Sequence, residues 1–193
     1  MIIWKKWMDP YITIHNNVHS SSFQAMILSL PNYETSIHVS VYLPTSGKDQ
    51  EFTNHLTDLY NCLEELVLTY PNAKTFLRGD FNVNPNNTTR SIQLNAFQRA
   101  FRLMSVCIPH KTYHHFVGQG RFDSAIDLLL YPINVPGHET LSKVICKFDF
   151  PEISSHHDMI LSNCKLLMKV EEPPRSQVLK RAPRTEVERP RVS

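Results

Sequence analysis

The stretch from Ser36 to Asn82 constrains this chain more than any other. "SIHVSVYLP" (Ser36–Pro44) alternates β-branched and aromatic residues with small polar ones, the pattern of a strand. From Asp49 to Tyr70, Phe52, Leu56, Leu59, Leu63, Leu66 and Val67 recur every three or four residues, so they share one face of a helix, and "YPN" stops it. "KTFLRGDFN" (74–82) then reads as a strand again. Strand, helix and strand in that order make a crossover unit of the kind that builds helix-covered sheets. An α/β fold is therefore expected.

The flanking segments extend it. "FQAMILSL" (Phe23–Leu30) reads as a strand joined to the one at Ser36 through the turn "PNYET". Ser91–Val106 repeats the helical spacing with Leu94, Phe97, Ala100, Phe101 and Met104. Three later runs, "SAIDLLLY" (Ser124–Tyr131), "SKVICKFDF" (Ser142–Phe150) and "HDMILSNCKLL" (His157–Leu167), look like strands separated by Pro and Gly turns. At 193 residues there is room for one domain with a real core. No window approaches a membrane span, and "MIIWKKWMDPY" lacks the apolar stretch and cleavage site of a secretory signal. These features predict an intracellular chain, cytoplasmic or nuclear, with no membrane partner. Cys62, Cys107, Cys146 and Cys164 are far apart and sit in apolar segments, which argues against disulfides and a zinc ribbon.

Charge divides the chain in two. From Pro173 to Ser193 six Lys/Arg face Glu186 and Glu188, a balance of +4, so the total of +2 leaves −2 for residues 1–172. Rich in Pro and poor in large apolar residues, residues 169–193 read as a basic disordered tail that serves chiefly as a solubilising extension, behind a domain over residues 1–168.

Polar residues cluster at the margins of the apolar strands. Asp80 and Asn82 flank Phe81, and strand alternation would point both into one space while Phe81 packs the other way. The competing reading is that "DFN" only opens a loop, because Asp and Asn suit turns. Asp127 stands directly before Leu128–Leu130, where an unpaired carboxylate is expensive to bury. His156, His157 and Asp158 precede another apolar run, and an Asp beside a His is the usual way to fix an imidazole tautomer. Asp127 and the His pair, each taken alone, are more often structural, while the two readings of "DFN" stand level.

Their order says more. Gly79-Asp80-Phe81-Asn82, Ser124-Ala125-Ile126-Asp127 and Ser155-His156-His157 resemble the successive motifs Gly-Asp-x-Asn, Ser-x-Ile-Asp and Ser-Asp-His of the endonuclease/exonuclease/phosphatase family. "VYLPTSGKDQEF" (Val41–Phe52) resembles that family's central strand and following loop. "TYHHFVGQGRFDSAIDLLLY" (112–131) is similar to the version in endonuclease domains of non-LTR retrotransposons. The resemblance covers about residues 1–168. It implies a two-sheet α/β/β/α sandwich with the site at one edge of the sheets.

The resemblance also implies roles. The Asp matching Asp80 orients or deprotonates the attacking water, and the Asn matching Asn82 hydrogen-bonds the scissile phosphate. The His matching His157 stabilises phosphoryl charge, and the Asp matching Asp127 holds that His. Tyr42 and Ser124 join Asn82 as substrate-binding positions, and Mg²⁺ is the implied cofactor. Nucleic acid, DNA first, is the implied partner, with a reverse-transcriptase domain alongside in a parent element. Gly118–Phe122 and the Asn84–Arg90 loop border these motifs and are candidates for substrate contact.

Two departures qualify this expectation. Family members open with strands carrying an Asn and a metal-binding Glu, whereas "MIIWKKWMDPY" resembles the segment after that Glu. The implied sandwich is thus missing its N-terminal strands. The position normally Asp in the third motif is His156, leaving His156 and His157 as the remaining metal ligands, so Mg²⁺ binding should be weak. An impaired Mg²⁺-dependent endonuclease and a catalytically inactive remnant or binding module of the same ancestry both stay open. A zinc hydrolase using His110, His114, His115, His156 and His157 fits poorly, because the segment has no helical periodicity to align the rings.

Overall fold

The computed structural model describes residues 2, 4–15, 21–45, 47–83, 88–105, 111–117, 120–133, 143–145, 157 and 159–161. A 3₁₀ turn over Lys6–Tyr11 leads into β1 (Ile12–His15), then β2 (Phe23–Leu28) and β3 (Ser36–Tyr42). Helix α1 (Asp49–Thr69) crosses to β4 (Lys74–Asp80), and α2 (Thr88–Ala100) follows. The remaining strands are β5 (Leu103–Ser105), β6 (Tyr113–Val117), β7 (Gly120–Ser124), β8 (Asp127–Pro132), β9 (Lys143–Ile145) and β10 (Met159–Leu161).

Six strands form one sheet in the order β1-β2-β3-β4-β8-β5. β3 and β4 run parallel, as the crossover through α1 requires, and the other neighbours are antiparallel. Ile37, Val39 and Val41 on β3 bury against Phe52, Leu59, Leu63 and Leu66 of α1, joined by Leu94 and Phe97 of α2. The period of 3.6 in α1 meets the period of 2 in β3 here, and each of those β3 and α1 side chains is at most 3% exposed. The opposite face is buried as well: Met26, Leu28, Phe76 and Leu129 lie outside the helix-side cluster but are at most 6% exposed. His38 stacks on Phe76 at 5.3 Å between ring centroids and shares a 2.9 Å hydrogen bond with Ser36 Oγ. Burial, aided by the nearby positive charge of Arg78, holds its pKa down at about 4. The two remaining described pairs are β6-β7 and β9-β10.

The structure corrects the expectation at several points. β1 is a strand the sequence pattern does not announce; it gains order by pairing Ile12–His15 with Leu28–Ala25. The second helix ends at Ala100 rather than Val106, because Arg102 takes a left-handed φ of 52° and turns the chain so that Leu103–Ser105 can pair with β8. "SAIDLLLY" is two elements: Ser124 closes β7 and Asp127 opens β8 in a different sheet. Cys62 is buried as a free thiol; the other three cysteines, the tail at 169–193 and most of the strands expected over 142–150 and 157–167 lie outside the described residues. No described helix is long and apolar enough to cross a membrane.

Candidate active site

Strand register assembles the site. Tyr42 on β3 pairs with Asp80 on β4, and Asp80 pairs with Asp127 on β8, so the three stand in a row across neighbouring strands at one end of the sheet. Gly79 permits this. It sits at φ 142°, and a Cβ there would lie 1.9 Å from the Val41 carbonyl oxygen, so only glycine lets β3 and β4 approach just before the carboxylate. Past Asp80 the Phe81 N–H donates to the Ile126 carbonyl at 2.9 Å, and the Phe81 ring is fully buried in the core.

Asp80 and Asn82 do meet, though not by strand alternation. The strand ends at Asp80, and Asn82 adopts a left-handed φ of 48°. Its backbone N–H donates to Asp80 Oδ1 at 2.8 Å, and its Nδ2 donates to the Leu43 carbonyl at 2.8 Å. This is the local turn chemistry that Asp and Asn favour, so the loop-opening reading and the site reading describe one arrangement. Asp80 is only 8% exposed. Burial raises its pKa from 3.8 to about 6; the Asn82 N–H opposes that rise, the Asp127 charge adds to it, and His157 pulls it back.

His157 lies between the two carboxylates. Its Nδ1 is 3.0 Å from Asp127 Oδ2 and 3.2 Å from Oδ1, and its Nε2 is 3.9 Å from Asp80 Oδ2. A carboxylate only accepts, so the closer contact holds a proton on Nδ1 and leaves Nε2 facing Asp80. The ring packs edge-on to Tyr113 at 4.9 Å, and the two residues form a backbone bridge. The Asp127 N–H donates to Thr112 Oγ1 at 3.4 Å, and Thr112 is wholly buried. Thus "TY" at 112–113 braces both members of the pair. Their part in the site was not legible, since nothing in the sequence says that residue 113 pairs with residue 157.

The other expected positions fare differently. Tyr42 is 59% exposed beside Asp80 in register. Ser124 is half-buried at the end of β7, where its carbonyl accepts the Thr112 N–H at 3.0 Å. His110, His156 and the Asn84–Asn87 part of the loop lie outside the described residues, as do Gly118 and Gln119. Arg90, grouped with that loop for substrate contact, is 1% exposed and faces the protein interior instead. A cavity of about 550 Å³ opens elsewhere, between Trp4, Trp7 and Met8 and the sheet residues Met26, His38 and Arg78, and none of the expected site residues lines it.

Mg²⁺ prefers an octahedral set of oxygens anchored by carboxylates. Asp80 Oδ1 is engaged by Asn82, both Asp127 oxygens face His157, and no group of three His, Cys, Asp or Glu side chains among the described residues is placed to hold a metal ion. The described residues therefore do not fit a preassembled Mg²⁺ centre; of the histidines expected to hold zinc, only the His157 side chain is among them.

Similarity to solved structures decides the fold. The endonuclease domain of TRAS1, a telomere-specific non-LTR retrotransposon, superposes with a TM-score of 0.60 at 13% identity, over 83% of this chain and 69% of that one. The chain has the endonuclease/exonuclease/phosphatase fold. The 3′ phosphatase NExo from Neisseria, bound to a product DNA hairpin, shares it with a TM-score of 0.59 at 12% identity, over 80% of this chain and 70% of that one. D. rerio TDP2, complexed with a single-strand DNA product, gives 0.54 at 12% identity over 78% of this chain; the match spans 65% of TDP2's length, under two thirds. No family model matches the sequence, and no curated protein does.

Proposed function

We propose that this chain hydrolyses phosphodiester bonds of nucleic acid, DNA first, at the Asp80–His157–Asp127 cluster. The observation that carries the reading is the imidazole of His157 held 3.0 Å from Asp127 while its other nitrogen faces Asp80. Above about pH 6 Asp80 is a buried anion beside the ring, suited to take a proton from an attacking water. His157, when protonated, offsets charge on the phosphoryl group, and Asp127 fixes its ring. The Asn82 amide, whose Nδ2 donates to the Leu43 carbonyl and which also hydrogen-bonds Asp80, lies beside the carboxylate, where it would meet a phosphoryl oxygen. In hydrolysis the water oxygen bonds to phosphorus, its proton passes to Asp80, and the bond to the leaving sugar oxygen breaks as that oxygen takes a proton from solvent. Exposed Tyr42 and the hydroxyl of Ser124 are substrate contacts in this reading.

Mg²⁺ is the cofactor the resemblance implies; among the described residues no preassembled donor set awaits it, so weak binding and slow turnover are expected. That same donor count favours a second reading, in which the chain binds DNA without cutting it. A mobile-element setting with a reverse-transcriptase domain alongside rests on the resemblance of residues 112–131 and on nothing else in the chain. The test is nicking of supercoiled plasmid with Mg²⁺, beside Asp80→Asn, His157→Ala and an EDTA control, with DNA binding followed by fluorescence anisotropy. Slow nicking lost in both variants supports hydrolysis; binding without nicking moves the assignment to the second reading. Fast nicking that survives both substitutions would sink the proposed site.

A further inference from the structure

Arg90 is the most completely enclosed charge among the described residues, and none of the roles above uses it. It stands on the first turns of α2 with 1% of its side chain exposed. Its Nε donates to Asp49 Oδ1 at 2.7 Å, at the start of α1. Its Nη2 donates to the Thr45 carbonyl at 2.8 Å. Its Nη1 donates to the Pro44 carbonyl at 2.7 Å and to the Asn82 carbonyl at 3.0 Å. The guanidinium carbon lies 4.5 Å over the Phe52 ring. A single planar fork thus ties the segment leaving β3, the segment leaving β4 and the starts of both helices.

Those two segments are the ones that carry the site. Leu43, next to Pro44, accepts from Asn82 Nδ2 at 2.8 Å and donates its N–H to the Asp80 carbonyl at 2.9 Å. Asn82 holds a left-handed conformation that a non-glycine residue adopts at a cost. Such a conformation persists only where the surroundings over-determine it. The Arg90 contact to its carbonyl, and through Pro44 to the strand end that receives its side chain, supplies that constraint.

We propose that Arg90 is a positioning residue, which locks the Asn82 turn in the orientation that presents its amide toward a bound phosphodiester. This rests on the site proposed above. Arg90 is too enclosed to touch substrate itself, so it acts through Asn82. A lysine at this position keeps the charge beside Asp49 but loses the rigid geometry that reaches three carbonyls at once.

The discriminating variant is Arg90→Lys, with Asp49→Ala beside it as a milder lesion that removes only the Nε anchor. Hydrogen exchange of the Asn82 amide, which donates to Asp80 Oδ1, should quicken about tenfold in Arg90→Lys, the cost of one lost hydrogen bond to a charged donor, while the Leu77 amide in mid-strand is unchanged. Plasmid nicking should fall by at least the same factor with DNA affinity unaltered. If Arg90→Lys does not fold, Asp49→Ala is read by the same two amides, with a smaller but still selective increase at Asn82. Uniform acceleration at Asn82 and Leu77 alike, or none at either, overturns the proposal. Should the wild-type chain show no nicking, the hydrolytic reading fails by itself, and the exchange comparison still decides whether Arg90 holds the turn.

Discussion

Replacing Asp80 by Asn should make the protein more stable at neutral pH, although it removes the base of the proposed site. The pKa of Asp80 lies at about 6 in the fold against 3.8 when unperturbed, chiefly because the carboxylate is buried. The folded state therefore holds this proton more tightly than the unfolded one. The stability contributed by this group is fully present below pH 3.8 and is lost as pH rises through about 6. At 1.36 kcal/mol per pH unit, the full loss is ~3 kcal/mol. With 9% of the side chain exposed, solvent screens little of it. Asn keeps an oxygen for the Asn82 N–H and carries no charge, so Asp80→Asn should match wild type near pH 4 and exceed it by ~3 kcal/mol at pH 7.5. The attraction of His157 for the carboxylate is already counted in that pKa.

The measurement is urea denaturation of both proteins at several pH values between 4 and 7.5. With a slope of about 1–3 kcal/mol/M, the midpoint should rise by roughly 1 M or more at the upper end and stay put at the lower. His38 provides an internal control of opposite sign. Its pKa is depressed from 6.5 to about 4, so its contribution is present above pH 6.5 and lost as pH falls toward 4. In wild type the two trends oppose each other between about pH 4 and 6; Asp80→Asn leaves the His38 trend uncovered, so the variant should gain stability with pH across that interval. An equal difference between variant and wild type at pH 4 and 7.5, or a variant weaker at 7.5, would refute the assignment of Asp80 as a buried, charge-disfavoured carboxylate.

Gly79→Ala should cost ~3 kcal/mol or more, or prevent folding, because the new methyl meets backbone rather than a movable side chain; a melting temperature within a few degrees of wild type, followed by circular dichroism, would contradict the close β3–β4 approach. Leu63→Ala, fully buried on the inner face of α1, should lower stability by ~2–5 kcal/mol, and a neutral result in the same melt would argue against that packing. Asp127→Asn should abolish the preference of neutral His157 for a proton on Nδ1, since an amide can donate as well as accept. Nitrogen chemical shifts of the imidazole report the tautomer, and an unchanged preference would show that something other than Asp127 sets it.

Local periodicity determined most of the fold by itself. The helix expected over Asp49–Tyr70 ends at Thr69, and the strands expected from Ser36 and Lys74 start where β3 and β4 start, because their signals come from neighbours three, four or two residues away. The residues of the candidate site stood out in the sequence through the order of their three short motifs, since a carboxylate or imidazole at a strand margin is, taken alone, more often structural. What the sequence could not decide is everything set by pairing across distance. β1 and β5 are four and three residues long, too short to carry a period, and exist through pairing with β2 and β8. Asn82 joins Asp80 through a left-handed turn rather than strand alternation, a choice enforced by carbonyl partners at Leu43 and an arginine on the next helix. Asp80 acquires its raised pKa only when the Asp80–Asp127 register closes over it, 47 positions apart, and His157 reaches Asp127 across 30 more. Arg90 was legible only as the end of a loop expected to touch substrate, since a cation beside a polar loop reads as solvated; tertiary packing instead turns it inward onto three carbonyls.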